Sequence, residues 1–589
     1  MILQALTGYY EDLRDRGEIE PPGWAPVKVS CGLRIDGEGK LLQAIDLRVP
    51  QSRGKKTVMA PQLLCLPAPV KRSSGISPNF LWDNSAYLLG ADGKNDPRRA
   101  RECFEACAEY HRRLLAGVDS PAAKALLAFF ESWNPAKARQ HPALEPVWQE
   151  LEAGANLVFR LEEGDFLQQD PALQEAWERA WSGQGEEQGP EGVCLVTGQR
   201  GPVQSVHPAV KNVAGAQSSG AALVSFNAPA FCSYGKEQNM NAPTGKYAAF
   251  AYTSALNHLL ADREHLAHLG DATVVCWARG GQSGYASLFG GLLYGTETPY
   301  TEPELRGMAL ALCRGEKVEY QEDLLDPHTD FYLLGLSPNS ARLSVRFFLH
   351  NTFGHFLQNL RAHQEQLEIA RPSWDKRETL SVWAILNETV NQNSKDKTPS
   401  PGLAGETLRA ILENTPYPAT LLNGVVLRIR AEKQITRGRA AILKAYYTKL
   451  TEQRGQELPD IPKEVLTVSL NPQAKHIPYT LGRLFSVLEA IQSAANPGIN
   501  TTIRDRYFSA ACATPSRVFP NLIKLAQKYM KKLDGGLQVY FERQLTELLA
   551  LLGQEFPNQL SLPQQGSFQL GYYQQNLVRY QKKEEKDHA

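Results

Sequence analysis

Between Gln217 and Tyr252 the chain reads QSSGAALVSFNAPAFCSYGKEQNMNAPTGKYAAFAY, with one acid, Glu237, against Lys236 and Lys246. Amides and hydroxyls crowd it: Gln217, Ser219, Asn227, Ser233, Gln238, Asn239 and Asn241. Gly220, Gly235 and Gly245 allow close backbone approach or a positive φ. Phe226, Phe231 and Tyr234 offer flat rings. Such a set suits a polynucleotide, because it can meet phosphates, base edges and ring faces. It suits hydrolysis poorly, since it holds no carboxylate pair and no Ser-His-Asp set. The plainer alternative is a Gly/Asn-rich surface loop between two strands.

Other segments repeat parts of this chemistry. KRSSGISPNFLWDN puts Lys71 and Arg72 ahead of Ser73, Asn79 and Asn84; the cations could anchor phosphates while an amide reaches a base edge. Within 421–449, Arg428, Arg430, Lys433, Arg437, Arg439, Lys444 and Lys449 face one acid, Glu432. Surface helices usually mix both signs, so this run reads as phosphate contact ahead of a solvated face. From 468 to 589 there are 14 basic and 9 acidic residues, a surplus of five, with Arg504, Arg506, Arg517, Lys524, Lys528, Lys531 and Lys532 clustered.

Catalytic signatures are sparse. Cys103, Cys107 and His111 fall on one face of a predicted helix, but no local fourth metal ligand is evident, and a buried helix face is the favoured reading. Gly280-Gly281-Gln282-Ser283-Gly284 could cradle a phosphate, yet it matches neither the P-loop nor the dinucleotide fingerprint. No H-E-x-x-H and no His-Asp dipeptide occurs. His207 and His258 read as structural. No metal and no cofactor is expected.

These residues must be positioned by more than one core. At 589 residues, two to four domains are expected. Formal net charge is zero, 63 basic against 63 acidic, so any nucleic-acid contact must come from local asymmetry or from a complex. Nine scattered Cys suit a reducing cytoplasm. No run approaches a membrane helix, and MILQALTGYYEDLRDRG lacks the basic n-region of a signal peptide. VKVSCGLRID and LLQAIDLRVP alternate as half-buried strands about a turn at Asp36-Gly37-Glu38-Gly39. A helix opening at Pro97 and ending at Gly117 follows. GQGEEQGPEG is a polar linker. VCLVTGQRGPV, ALVSFNA and TVVCWARGG read as strands and loops. SARLSVRFFLHNTFGHFLQNLRAHQEQLEIA reads as a long amphipathic helix, and helical spacing dominates from Leu403 onward.

KRSSGISPNFLWDNSAYLLG, the 217–260 stretch and FYLLGLSPNSARLSVRFF together resemble the large subunit of the type I-C CRISPR surveillance complex, Cascade (the Csd family), over most of the chain. The resemblance implies an α+β fold: a mixed strand/helix N-terminal region followed by a C-terminal α-helical bundle resembling Cascade small subunits. The corresponding regions are 1–340, a linking part 341–402, and 403–589, small-subunit-like from about 468. It implies a non-catalytic, cytoplasmic protein that reads the PAM in double-stranded target DNA, helps open the duplex into an R-loop, and docks a helicase–nuclease. The implied partners are the 5′-handle end of the CRISPR RNA and the handle-binding, backbone and small subunits, with no membrane. It also implies a small subunit made from within the same message, for which Val468 is a plausible start. The expected DNA- or RNA-binding residues are Lys71, Arg72, Ser73, Asn79, Asn84, Gln217, Ser219, Asn227, Ser233, Tyr234, Lys236, Gln238, Asn239, Asn241, Arg428, Arg430, Arg437 and Arg439. The competing classes are a nucleic-acid-processing enzyme such as a nuclease and a purely structural assembly subunit.

Overall fold

The computed structural model describes residues 1–53, 56–70, 72, 75–91, 96–182, 190–395, 397–400, 402–553 and 556–587. The chain divides into two compact units, Met1–Lys211 with Ser218–His258, and Asn212–Gln217 with Leu259–Ala589. Mixed strands and helices lead, and a helical bundle closes the chain, so the α+β expectation holds.

In the first unit a four-stranded sheet runs in the order Leu41–Asp46, Cys31–Ile35, Asn156–Leu161, Trp82–Asn84. Cys31–Ile35 pairs parallel with Asn156–Leu161, and the other pairings are antiparallel. The turn between the first two sequence strands lies where the Asp-Gly pattern puts it. Asp36 Oδ1 accepts from the amides of Glu38 at 3.0 Å and Lys40 at 2.8 Å. Gly39 there has φ +78°, and a Cβ would meet the amide nitrogen of Phe129 at 2.2 Å. Helix Pro97–Leu114 begins with Asp96 accepting from the Arg99 amide and with Pro97 in its first turn. Its buried stripe packs with helices Pro121–Ser132 and Pro171–Trp181 around the sheet.

The second unit opens on an antiparallel sheet ordered Leu266–Leu269, Ala272–Ala278, Asp330–Asn339, Arg342–Thr352. Two expectations are corrected by strand assignments. Residues 342–352 form a strand, and only Phe353–Leu367 is helix. Leu343, Phe347 and Leu349 are buried at even spacing, the strand period, while Thr352 caps the helix that follows. Conversely, ALVSFNA forms no strand beyond the isolated bridge Val210↔Ala221.

The C-terminal bundle is built on helix Ile477–Ala495, buried continuously from Pro478 to Gln492. Helices Ile503–Ala513, Pro515–Met530, Gly535–Leu552 and Leu562–Asp587 surround it. The central helix touches Leu562–Asp587 through glycines on both partners. A Cβ on Gly482 would lie 1.9 Å from the Phe568 carbonyl oxygen, and one on Gly571 2.1 Å from that of Tyr479. Any side chain there forces the helices apart, at about 1–3 kcal/mol or more. Its polar groups find partners inside the bundle: Arg483 Nε donates to Gln575 Oε1 at 3.1 Å, and Tyr572 OH to Glu489 Oε2 at 2.6 Å.

Candidate nucleic-acid interface

From Ala221 to Thr244 the chain makes only two short 3-10 turns, Pro229–Phe231 and Gln238–Asn241. Side chains hold the loop. Asn241 Oδ1 accepts from the Ser233 amide at 2.9 Å, and its Nδ2 donates to the carbonyls of Lys236 at 3.2 Å and Gln238 at 2.9 Å. Asn239, 1% exposed, donates to the Gln204 carbonyl at 3.0 Å. Inside the clamp the Lys236 amide donates to the Ser233 carbonyl at 3.0 Å. The two residues between, Tyr234 and Gly235, have φ +54° and +67°. That is the mirror-image turn normally filled by Gly, Asn or Asp, so Tyr234 occupies a strained position. Its ring is 98% exposed. Ser233, Lys236 and Gln238 are exposed beside it, as is Asn227 earlier in the loop. Gln217 and Ser219 are exposed too.

The expected residues therefore separate by role. Asn241 and Asn239 spend their amides on the loop's own backbone, and they position rather than read. Lys246 likewise turns inward, with Nζ donating to the Trp181 carbonyl at 2.6 Å and burial lowering its pKa. What faces water is a nearly neutral set of amides and hydroxyls, Lys236 with Glu237, and two aromatic rings, Phe231 and Tyr234. Such a set addresses base edges and faces more than phosphates.

Val70, Arg72 and residues 75–84 gather around Asp83, 1% exposed. Arg72 pairs with that carboxylate, donates to the Ser77 carbonyl at 2.6 Å, and lies 4.1 Å over the Tyr87 ring. Asp83 also accepts from the amides of Asn79 at 2.9 Å and Asn84 at 2.8 Å. Asn79 Oδ1 accepts from Val70, and Asn84 caps the short helix Ser85–Leu88. Arg72, Asn79 and Asn84, expected as nucleic-acid contacts, are engaged within the fold here: a buried carboxylate must be compensated, and the Arg72 guanidinium and the amides of Asn79 and Asn84 compensate it. Lys71 and Ser73 lie outside the described residues.

In the basic run 421–449 most of the cations are drawn into the fold. Arg437 and Arg439 are 8% and 2% exposed. Arg437 Nη1 lies 3.2 Å from Asp375 Oδ2, and Arg439 pairs with Glu432 and, at 3.4 Å, with Glu388. Gly438 leaves room for that Glu388 carboxylate, since a Cβ would meet its Oε1 at 2.3 Å. Lys444 donates to the Gln366 carbonyl at 2.9 Å, and Lys449 to that of Ala410 at 2.7 Å. Both carbonyls lie at the C-terminal ends of helices, Phe353–Leu367 and Leu403–Leu412, where the helix dipole favours a cation. Arg428 is three-quarters or more covered and sits 3.6 Å from Glu432. Arg430 stays exposed, donating to Gln565 at 2.9 Å.

Exposed cations gather instead on helices Ile503–Ala513 and Pro515–Met530 and the turn after them. Arg506, Arg517, Lys524, Lys528, Lys531 and Lys532 face solvent. No ion pair involves them among the described residues. The one acid between 503 and 533, Asp505, is used in a capping box with Thr502. Val518, Phe519, Leu522 and Ala526 bury the opposite face of the second helix.

The residues weighed for metal or phosphate chemistry are engaged within the fold. His111 is fully buried: its Nδ1 bonds the Cys107 carbonyl at 2.8 Å, so that nitrogen carries the proton, and Nε2 accepts from the Leu81 amide at 2.9 Å. Burial lowers its pKa to about 4 and raises the Cys107 thiol. Among the described residues no group of three or more His, Cys, Asp or Glu could hold a metal ion. At the Gly-rich turn, Asp323 Oδ2 already accepts from the Gly284 amide at 2.9 Å, filling the helix N-terminus where a phosphate would sit. Among the described residues no helix is long and apolar enough to cross a membrane.

The family model described as CRISPR-associated protein (Cas_Csd1) matches residues 6–580. No curated protein matches the sequence. The chain belongs to the Cas_Csd1 family and is a CRISPR-associated Cascade subunit.

Proposed function

We propose that the chain is the large, non-catalytic subunit of a type I-C surveillance complex, and that it reads the PAM in duplex DNA with the 217–241 loop. The observation that carries this is the Asn241 clamp, which presents Tyr234, Lys236 and Gln238 to solvent on a fixed turn. A fixed turn lowers the entropy cost of ordering on binding. The amides of Gln238 and Asn227 suit base edges, and the Tyr234 ring suits a base face as the duplex opens. The exposed cations from Arg506 to Lys532 suit the phosphates of a strand. Guide–target pairing then supplies sequence specificity, and the protein supplies motif reading, strand handling and a dock for the helicase–nuclease.

The test is binding of the assembled complex to duplexes with a good or a poor PAM. Gln238→Ala or Asn227→Ala should shrink the discrimination by about 1–3 kcal/mol, as a lost bidentate base contact does. Tyr234→Gly is the cleaner probe. Glycine relieves the positive-φ strain, so stability should hold or rise while duplex opening falls. Unchanged discrimination and opening in all three variants would remove the loop from the site. Metal-dependent DNA cleavage by the isolated chain, abolished by a point substitution, would favour the enzyme alternative.

The same reading includes an internal product beginning near Val468, which would contain the five helices from Ile477 to Asp587. A complex expressed with this gene and no separate small-subunit gene should then yield, on intact-mass analysis, a C-terminal fragment of about that span.

A further inference from the structure

Residues 370–378 form a loop whose ends and middle are tied down while its largest side chain is left out. The Ala370 amide donates to the Val468 carbonyl at 2.9 Å, and the Ala370 carbonyl accepts from Tyr573 OH at 2.8 Å. Arg371 Nη1 reaches across the loop to the carbonyls of Lys376 at 3.3 Å and Arg377 at 3.0 Å. At the centre sits Asp375, 5% exposed. Its Oδ1 accepts from Arg377 Nε at 2.9 Å, and its Oδ2 from Arg377 Nη2 at 3.0 Å and Arg437 Nη1 at 3.2 Å. Arg437 also donates to the carbonyls of Arg377 at 2.6 Å and Glu378 at 2.8 Å. The arginine that the sequence offers as a phosphate ligand is thus the brace of this loop.

Trp374, next to that carboxylate, is 76% exposed, with no ring or hydrogen-bond partner among the described residues. Arg371, Ser373 and Lys376 around it are exposed. The loop 370–378 carries a net charge of +1 (Arg371, Lys376 and Arg377 against Asp375 and Glu378), and both acids are paired, Asp375 with Arg377 and Arg437 and Glu378 with Arg306. We propose that Trp374 is a stacking platform for an unpaired base of a single-stranded nucleic acid, with Lys376 and Arg371 on the flanking phosphates. The surroundings decide against a protein partner. A tryptophan that anchors a protein interface sits in a patch depleted of lysine and sealed from water by its neighbours. Here the neighbours are cations and a serine. They decide against a duplex as well, because stacked bases keep their faces covered, whereas a free base offers one to any exposed indole. None of these residues is among those assigned to PAM reading, and the test needs no PAM.

The test uses the full chain and fluorescent oligonucleotides of about 12 nucleotides, one single-stranded DNA and one RNA of the same sequence. Trp374→Ala and Trp374→Leu should each weaken binding about tenfold, while Trp374→Phe keeps most of it, since stacking needs a ring and not merely apolar bulk. Lys376→Ala should lower the salt slope by about one. Iodouridine photocrosslinking should leave an adduct on Trp374. Loss confined to the DNA arm assigns the platform to a displaced DNA strand, and loss confined to the RNA arm to the guide; either supports it. Three results overturn it: parental affinity of Trp374→Ala for both strands, equal binding by Trp374→Leu and Trp374→Phe, or crosslinks only elsewhere. Loss of a copurifying protein from Trp374→Ala with oligonucleotide affinity intact would make this a protein contact, and also overturns it.

Discussion

Helix Arg437–Arg454 and the helix pair Ile503–Ala513 and Pro515–Met530 carry similar charge in sequence and opposite fates in the fold. The first buries Arg437, Arg439, Lys444 and Lys449 against carboxylates and helix-end carbonyls. The pair leaves Arg506, Arg517, Lys524 and Lys528 in water without an ion pair among the described residues. An uncompensated positive run therefore has two physical solutions. Either the compensation comes from distant parts of the same chain, or it is left to a partner. Spacing distinguishes them. Arg517, Lys524, Lys528 and Lys531 repeat at 7, 4 and 3 residues, one helix face, opposite an apolar stripe. Around Lys444 apolar residues occupy every face, from Ala440 through Tyr447, as in a helix with no solvent side.

The sharpest way to break this contrast is stability. Arg437→Ala should destabilise the protein by about 1–3 kcal/mol, because it removes one of the two guanidinium groups on buried Asp375 and the donors to the Arg377 and Glu378 carbonyls. Lys524→Ala should change stability by less than about 0.5 kcal/mol. Urea unfolding of the two variants decides it, and equal effects would dissolve the distinction. Next in size is binding. Replacing Arg506, Arg517, Lys524 and Lys528 by Ala should lower the salt slope for single-stranded nucleic acid by up to about three units, with the unfolding midpoint unchanged. An unchanged slope would mean that the exposed cations touch no phosphate.

The smallest effect sharpens the buried side. Burial lowers the pKa of Lys449 to about 8. Below that pH both folded and unfolded states hold the proton, and folding bears the full cost of a buried charge. Between about pH 8 and the unfolded value near 10.4 the folded state sheds the proton first, so the unfolded state binds more protons and stability rises. Measured against Lys449→Met, the parent should gain about 1 kcal/mol or more over this window. A pH-independent difference would mean that Lys449 is not desolvated.

Local chemistry was legible wherever partners are near in sequence. The Asp36 turn, the Asp96–Pro97 helix start, the strand Ala272–Ala278 and the C-terminal helices follow from signals within a few residues. The 217–241 loop was legible as a polar surface, though not the inward use of Asn239 and Asn241. Strand 342–352 was missed because its even-spaced apolar residues merge with the helical pattern beginning at Phe353, and the register against Asp330–Asn339 decides between the two periods.

Composition and motif by themselves determined the family resemblance and the α+β order. Tertiary structure alone decided which polar groups remain free to act. Arg437 meets Asp375 across 62 residues, Lys449 meets Ala410 across 39, and Asn239 meets Gln204 across 35. A buried charge or amide must be matched, and the match lies wherever the fold brings an acceptor. Tyr234 and Trp374 are left exposed for the converse reason: the hydrogen bonds of their loops are satisfied by Asn241 and Asp375, which fixes the backbone and gives the rings nothing to bury against.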